Sequence, residues 1–281
     1  MVFKSLKYWN FRLWCGTIIL SIILVIGFIV PFFLEKSAIS WSTYPRNLKP
    51  SLEHLLGTTN LGQDTFWLLA ESIRNSFIIG ILVASFATAI GVLVGLLAGF
   101  VGGAPDRIIT LLADSFIVVP SLPILILLSS LATGSVSVLY ISAILIIFNW
   151  PWPARQVRSM ALSLRERDFI STAVFSGQSL FEIVVKEILP FVSNWAIANF
   201  INTILVAIAA ESGLAVIGLS SNEKATLGTM IYWANQHQAM LAGRWWWVGS
   251  PVVTTALIFI SLFLTMTGYQ TYSAKMRGKD A

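Results

Sequence analysis

The chain has 281 residues, of which 56% are Ala, Val, Ile, Leu, Met, Phe, Trp, Tyr or Cys and only 11% are Asp, Glu, Lys or Arg. An average soluble domain carries about 25% charged residues. This composition therefore excludes a soluble enzyme, a nucleic-acid-binding module and a disordered chain, despite the net charge of +5. Lipid is the solvent for most of the chain, in keeping with a mean hydropathy of +0.80.

A bilayer core takes about 20 apolar residues in a helix. Six segments meet or approach that length: 13–34, 75–101, 108–132, 136–150, 191–219 and 246–269. Backbone groups in hydrocarbon must bond within their own segment, so all six are expected as helices. The first is too long for a signal-peptide core and no small-residue cleavage site follows it, so it reads as a retained anchor. Cys15 lies in that apolar run and is the only cysteine, and His54 and His237 are the only histidines. No disulfide framework, metal site or resident cofactor is expected.

The second span carries Gly91, Gly95 and Gly99, spaced four apart. They form a smooth stripe where another helix, of this subunit or of a second one, can approach closely. The third span is broken in its middle by Pro120 and Pro123, which suits a gate or a static bend. The fourth is short and stops at Pro151. Asp114 in the third span and Glu211 in the fifth are costly in lipid and are expected either on an aqueous route or in a bond between helices. Asn199, Asn202 and Thr203 share one face of the fifth span, with Glu211 about a quarter turn away. These five residues are the candidate pathway-lining groups. Trp245, Trp246 and Trp247 stand where the sixth span enters the membrane, as an interfacial belt or as a stacking platform for a sugar ring.

Lys and Arg set the orientation. With a cytoplasmic N-terminus, the inside carries twelve of them: Lys4, Lys7, Arg12, Arg107, Arg155, Arg158, Arg165, Arg167, Lys186, Lys275, Arg277 and Lys279. The outside carries six: Lys36, Arg46, Lys49, Arg74, Lys224 and Arg244. Six spans return the C-terminus to the cytoplasm. The expected organisation is an N-terminal anchor helix with an outer loop (1–74), then a five-helix core (75–281) containing an inner loop at 154–190. A further outer stretch, 220–244, joins the last two spans.

The inner loop reads as two short helices joined at Gly177, because glycine takes positive φ without penalty. Ser179 and Glu182 have capping-box spacing, and Leu180, Phe181, Val184 and Ile188 give the second helix an apolar face. Ser171, Thr172 and Ala173 make the first helix small-faced. Such a hairpin is shaped to dock into a groove of a soluble partner; an amphipathic helix lying on headgroups is the competing reading.

At these residues the chain resembles the permease subunits of binding-protein-dependent ABC importers of the dipeptide, oligopeptide and nickel type. Their loop motif E-A-A-x-x-x-G followed by I-L-P is similar to Ser171-Thr172-Ala173, Gly177 and Ile188-Leu189-Pro190. Their outer pattern H-P-L-G-T-D-x-x-G-R-D is similar to His54 through Asp64, and their L-S-F-L-G-L to Leu214 through Leu219. Here Ser171 replaces the motif glutamate, Leu55 the proline and Gln63 the arginine. The resemblance implies a type I importer permease in a prokaryotic cytoplasmic membrane, non-catalytic itself. It implies pairing with a second permease, two cytoplasmic ATPases that bind ATP and Mg, and an extracytoplasmic solute-binding protein; nucleic acid is not a partner. Asp168, Ser171, Thr172, Ala173, Gly177 and Pro190 become the ATPase-coupling residues, with Asp168 a substitute for the missing glutamate. The implied solute is a di- or oligopeptide, with an oligosaccharide as the alternative. An ion-coupled secondary transporter using Asp114 and Glu211 is the rival of a different class. Gly57 through Asp64 has the two glycines of a phosphate loop but Gln63 where the lysine must stand, so no nucleotide site is expected there.

Overall fold

The computed structural model describes residues 10–33, 37–131, 137–220 and 224–277. Among them there is no strand, only an isolated bridge between Thr58 and Asp64. The helices are α1 (Phe11–Phe28, continued by a 3-10 turn at Val30–Phe33), α2 (Thr65–Val101), α3 (Gly103–Val118), α4 (Ser121–Leu131) and α5 (Val138–Asn149). They continue with α6 (Pro151–Arg165), α7 (Asp168–Phe175), α8 (Leu180–Val216), α9 (Leu227–Gln236) and α10 (Trp245–Arg277). The expected span ends at 34, 132 and 136, the loop residue Glu35, and Lys4, Lys7, Lys36 and Lys279 lie outside the described residues.

Among the described residues, four helical segments are long and apolar enough to cross a bilayer: Phe11–Phe33, Thr65–Val101, Leu180–Val216 and Trp245–Met276. Gly103–Val118 and Ser121–Leu128, bent by 81°, make a fifth if the pair counts as one span. The fourth expected span, 136–150, corresponds to α5, which has 12 residues.

α5 ends at Asn149, as Pro151 led one to expect, but a second helix, α6, starts at Pro151 itself. Trp150 keeps helical angles (φ −73, ψ −29), its N–H donates to Ile146 and its carbonyl accepts from Ala154. Pro151 is tolerated because the first residue of a helix needs no intrahelical donor. The continuation, α6, carries residues 154–165, which the sequence reading placed in the inner loop. In the fold they lie against α2. A Cβ at Gly91 would meet Pro153 at 2.6 Å, one at Gly95 the Ala154 carbonyl at 2.5 Å, and one at Gly99 the Arg158 carbonyl at 2.6 Å. The glycine stripe is thus used inside the subunit, where small residues let two helix backbones touch.

Three apolar clusters follow α2 along its length. Near its start, Ile73, Phe77, Ile208, Leu227, Met230, Trp247 and Ile258 pack together. In its middle, Ile79 and Val83 meet Ile141, Leu145 and Leu214. At its end, Val92, Leu96 and Phe100 meet Val157, Ile170, Ile183 and Ile188. The outward faces of α1, α3 and α10 stay apolar and exposed, through Ile22, Leu111 and Phe263 among others. A continuous apolar exterior of this kind is covered by lipid or by another subunit.

The stretch 220–244 is more than a connecting loop. It contains α9, whose Leu227, Gly228, Thr229, Met230 and Ala234 are buried. A capping box of Thr226 and Thr229 starts it, and a Cβ at Gly228 would meet Ser212 Cα at 2.6 Å. The tryptophan triplet is corrected in the same way. Trp246 and Trp247 are buried: Trp246 Nε1 donates to the Thr58 carbonyl at 3.3 Å, and Trp247 stacks on His237. Only Trp245 faces outward, which leaves neither a belt nor a sugar platform.

Candidate functional site

The hairpin of α7 and the start of α8 leaves the bundle at the Val101 end of α2. α7 ends in a Schellman turn: the Gln178 N–H donates to Ala173 and the Gly177 N–H to Val174, with Gly177 at φ +77. That pattern closes the last carbonyls of a helix and requires a left-handed residue after the cap. Two residues later Ser179 and Glu182 form the capping box foreseen from their spacing. Lys186 Nζ adds a 3.1 Å bond to Glu182. The turn is therefore fixed by local bonds.

The two short helices divide their residues cleanly. Ile170, Ala173, Ile183 and Ile188 face inward and pack against Phe100 and Val157. Asp168, Ser171, Thr172, Val174 and Phe175 face outward. Ala173 corrects the sequence reading: at 6% exposure it holds α7 against the bundle and is not part of the outward face. Its small side chain allows that close approach. The apolar face of the second helix is corrected too. Leu180 and Phe181 are 64% and 76% exposed, and Phe175 is 90% exposed. The residues that pack inward are Ile183 and Ile188, with Val184 half-buried. The reason is a π turn at Ile183–Ile188, where the Leu189 N–H reaches back to Val184. One extra residue in the turn shifts the helical register. Pro190 stands just after it and is exposed; it has no N–H to continue the ordinary ladder.

The exposed apolar tip borders an open hollow of ≈ 290 Å³ lined by Phe100, Arg165, Ile170, Ser171, Val174, Phe175 and Leu180. The Thr172 and Ser176 hydroxyls donate back to the Asp168 and Thr172 carbonyls. What the hairpin offers a partner is consequently shape and apolar area, flanked by the Asp168 carboxylate.

The candidate pathway residues fall into separate groups. Asn199 and Thr203 are buried; the Asn199 amide donates to Thr88 Oγ1 on α2 at 3.1 Å, and Thr203 Oγ1 donates to the Asn199 carbonyl. Asn202 is half-buried. Glu211 is fully buried and accepts from Ser220 and Thr226, both at 2.7 Å. It thereby ties the end of α8 to the cap of α9. Asp114 is half-exposed and pairs with Arg155 on α6 at 3.2 Å. These acids and amides are brought to different helix contacts and do not converge on one site. Asp106, Arg155 and Arg158 join this account only from the structure; opposite charges recurring on two helices were the available signal.

The outer motif is a folded cap. His54 Nδ1 lies 2.7 Å from Asp64 Oδ2 in a buried pair. Asp64 Oδ1 accepts from the Phe66 and Trp67 N–H groups and starts α2. Gln63 Nε2 donates to the Ile39 carbonyl at 2.7 Å. Gly57, at φ +66, leaves room for the Leu48 carbonyl and the Trp246 indole. The Leu214-to-Leu219 motif is a second Schellman turn, with Leu219 N–H on Leu214 and Gly218 N–H on Ala215.

Comparison with known proteins agrees with this architecture. Residues 91–277 match the family described as "Binding-protein-dependent transport system inner membrane component", and the chain belongs to that family. It is a multi-pass protein of the cytoplasmic (inner) membrane and, as a permease-type chain, non-catalytic. Among its relatives, an oligopeptide transport system permease protein OppC of Mycobacterium tuberculosis (strain ATCC 25618 / H37Rv) is 36% identical over 65% of this chain. That match spans 63% of the mycobacterial protein, less than two thirds of its length. OppC of Lactococcus lactis subsp. cremoris (strain SK11) is 31% identical over 89% of this chain and 85% of its own. A dipeptide transport system permease protein DppC of Bacillus subtilis (strain 168) is 30% identical over 90% of this chain and 76% of its own.

Proposed function

We propose that this chain is one of two permease subunits that form the solute path of an ATP-driven peptide importer. The relatives' names, oligopeptide and dipeptide permease proteins, support a peptide as the solute; none of the three supports a sugar. In this reading six helices cross the membrane with both termini in the cytoplasm, and α5 with α6 supplies the short fourth crossing. The α7–α8 hairpin lies in the cytoplasm. An extracytoplasmic receptor delivers peptide to the face carrying residues 37–64, and two ATPase subunits, which hold ATP and Mg, grip the hairpins of the two permeases.

The mechanism is one of differential affinity. ATP closes the ATPase pair, the hairpin moves with it, and the bundle passes between inward- and outward-facing arrangements; ATP can shift that equilibrium only as far as it favours one of them. Asp168, Ser171 and Thr172 supply the polar part of the gripped face, Gly177 its turn, and Ala173 and Pro190 its attachment to the bundle. Asn202, half-buried on α8, is the candidate of its polar face left for the path. Asn199, Thr203 and Glu211 fit bonds between helices, which weakens ion coupling as an alternative.

The observation that carries this reading is the exposed apolar tip of Phe175, Leu180 and Phe181 on a hairpin whose base is firmly packed. Gly177→Pro tests it, because proline fixes φ near −65° and removes the N–H of the turn. In the assembled importer, ATP-driven uptake of labelled tri-alanine should be lost while membrane insertion is kept. Normal uptake would contradict the role.

A further inference from the structure

Two ion pairs join α3 to α6. Arg158 grips Asp106 with both arms: Nε donates to Oδ1, and Nη2 donates to Oδ2 at 2.9 Å. One turn earlier on α6, Arg155 Nη1 lies 3.2 Å from Asp114 Oδ1. The earlier arginine meets the later aspartate, so the helices run antiparallel and the pairs form two rungs of a ladder.

Beyond these pairs α3 buries little. Ala113 is its one buried residue. Gly102 precedes it and Gly103 opens it, both at positive φ, and nothing lies within 4 Å of a Cβ placed on Gly103. At its other end the chain bends by 81° into α4. The helix is a short rod with a turn at each end, and its lateral attachment consists of the two ion pairs, Ala113, and Phe116 set edge-on against Phe148 and Trp150. Its partner α6 is the opposite case. It is pressed onto the glycine stripe of α2 and runs through Glu166 and Arg167 into α7, with the Arg167 carbonyl accepting from Ile170.

We infer that the two pairs make α3 follow α6, so that displacement of the α7–α8 hairpin reaches the bent α3–α4 segment. Arg155 and Arg158 are then positioning residues for transport, acting through the aspartates on α3. The inference rests on the permease reading above. The bidentate Arg158–Asp106 contact suits such a joint, because it fixes orientation as well as distance; Arg155–Asp114 adds a single, more exposed ion pair.

The test uses the complete importer with Cys15→Ser and spin labels at Ile117→Cys on α3 and Val253→Cys on α10. The distance between the labels is measured without nucleotide and with ATP, Mg and vanadate. The inference expects a nucleotide-dependent change in the unaltered ladder. That change should disappear in Arg158→Asp and in Asp106→Arg while ATP hydrolysis continues, and return in the double swap. A merely structural role would depress hydrolysis and the distance change together. Should the Asp106 variants fail to assemble, Arg155→Asp, Asp114→Arg and their swap give the same comparison on the more exposed rung. A change that persists in the single variants, is absent from the unaltered ladder, or fails to return in the swap overturns the inference. An unaltered chain that binds no ATPase would instead overturn the permease reading itself.

Discussion

Segment 37–64 and the α7–α8 hairpin both leave the helical bundle, and both turn on a left-handed glycine. Around Gly57 the space is full: an added Cβ would lie 2.5 Å from the Leu48 carbonyl and 2.9 Å from the Trp246 indole nitrogen. Around Gly177 nothing lies within 4 Å. In the first segment His54, Thr58, Gln63 and Asp64 are all buried and bonded inward. In the second, Phe175 and Phe181 point away from the chain that carries them. Water does not reward two exposed phenyl rings at a turn, since burying such a side chain is worth about 1.5–3 kcal/mol. The turn of the first segment is closed by its own contacts, although Trp41, Leu52 and Leu55 stay exposed on its outer side; the turn of the second is left open for a partner.

Four substitutions can break or sharpen this contrast. Asp64→Ala should have the largest effect. It removes the cap of α2 and leaves His54 without its carboxylate, at about 3–5 kcal/mol by the rules for caps and broken buried pairs. Unfolding of the purified chain in detergent measures it, with Asp64→Asn, which keeps a capping oxygen, falling between. Gly57→Ala comes next. It adds about 1–2 kcal/mol of left-handed strain to about 1–3 kcal/mol of overpacking, and the Trp246 bond should be displaced, visible as a shift in indole fluorescence.

Phe175→Ala should change the stability of the chain by less than about 0.5 kcal/mol yet weaken its hold on the ATPase subunits by about 2 kcal/mol. Unfolding of the detergent-purified permease reads the first, and its titration with ATPase the second. Equal losses in the two would mean that the ring supports the fold. Gly177→Ala is the mildest change, about 1 kcal/mol of strain with no clash. A cost approaching that of Gly57→Ala would erase the difference between the two regions.

Much of the hairpin was legible because its signals are local. Gly177, Ser179 and Glu182 announce a turn and a cap within a few residues, and α7 and the start of α8 lie where that spacing puts them. The packing face of α8 was not legible, because a π turn adds a residue that regular periodicity does not contain; Ile183 therefore takes the inward place foreseen for Leu180 and Phe181. α6 was misplaced for a different reason. Its Pro151 and its arginines read as the end of a span, but proline is harmless in a first turn, and Arg155 and Arg158 find aspartates on α3. Partners far along the chain were invisible: Asp114 looked like an isolated acid until α6 brought Arg155 beside it. The buried Trp246 and Trp247 depended likewise on segment 37–64 and His237 folding over them.

The most direct measurement is photo-cross-linking from position 175 or Ser176 in the assembled complex. Both positions are exposed and lie outside the packed base of the hairpin. The account predicts an adduct with the ATP-hydrolysing subunit. Adducts with phospholipid alone would show that the tip rests on the bilayer and would contradict it.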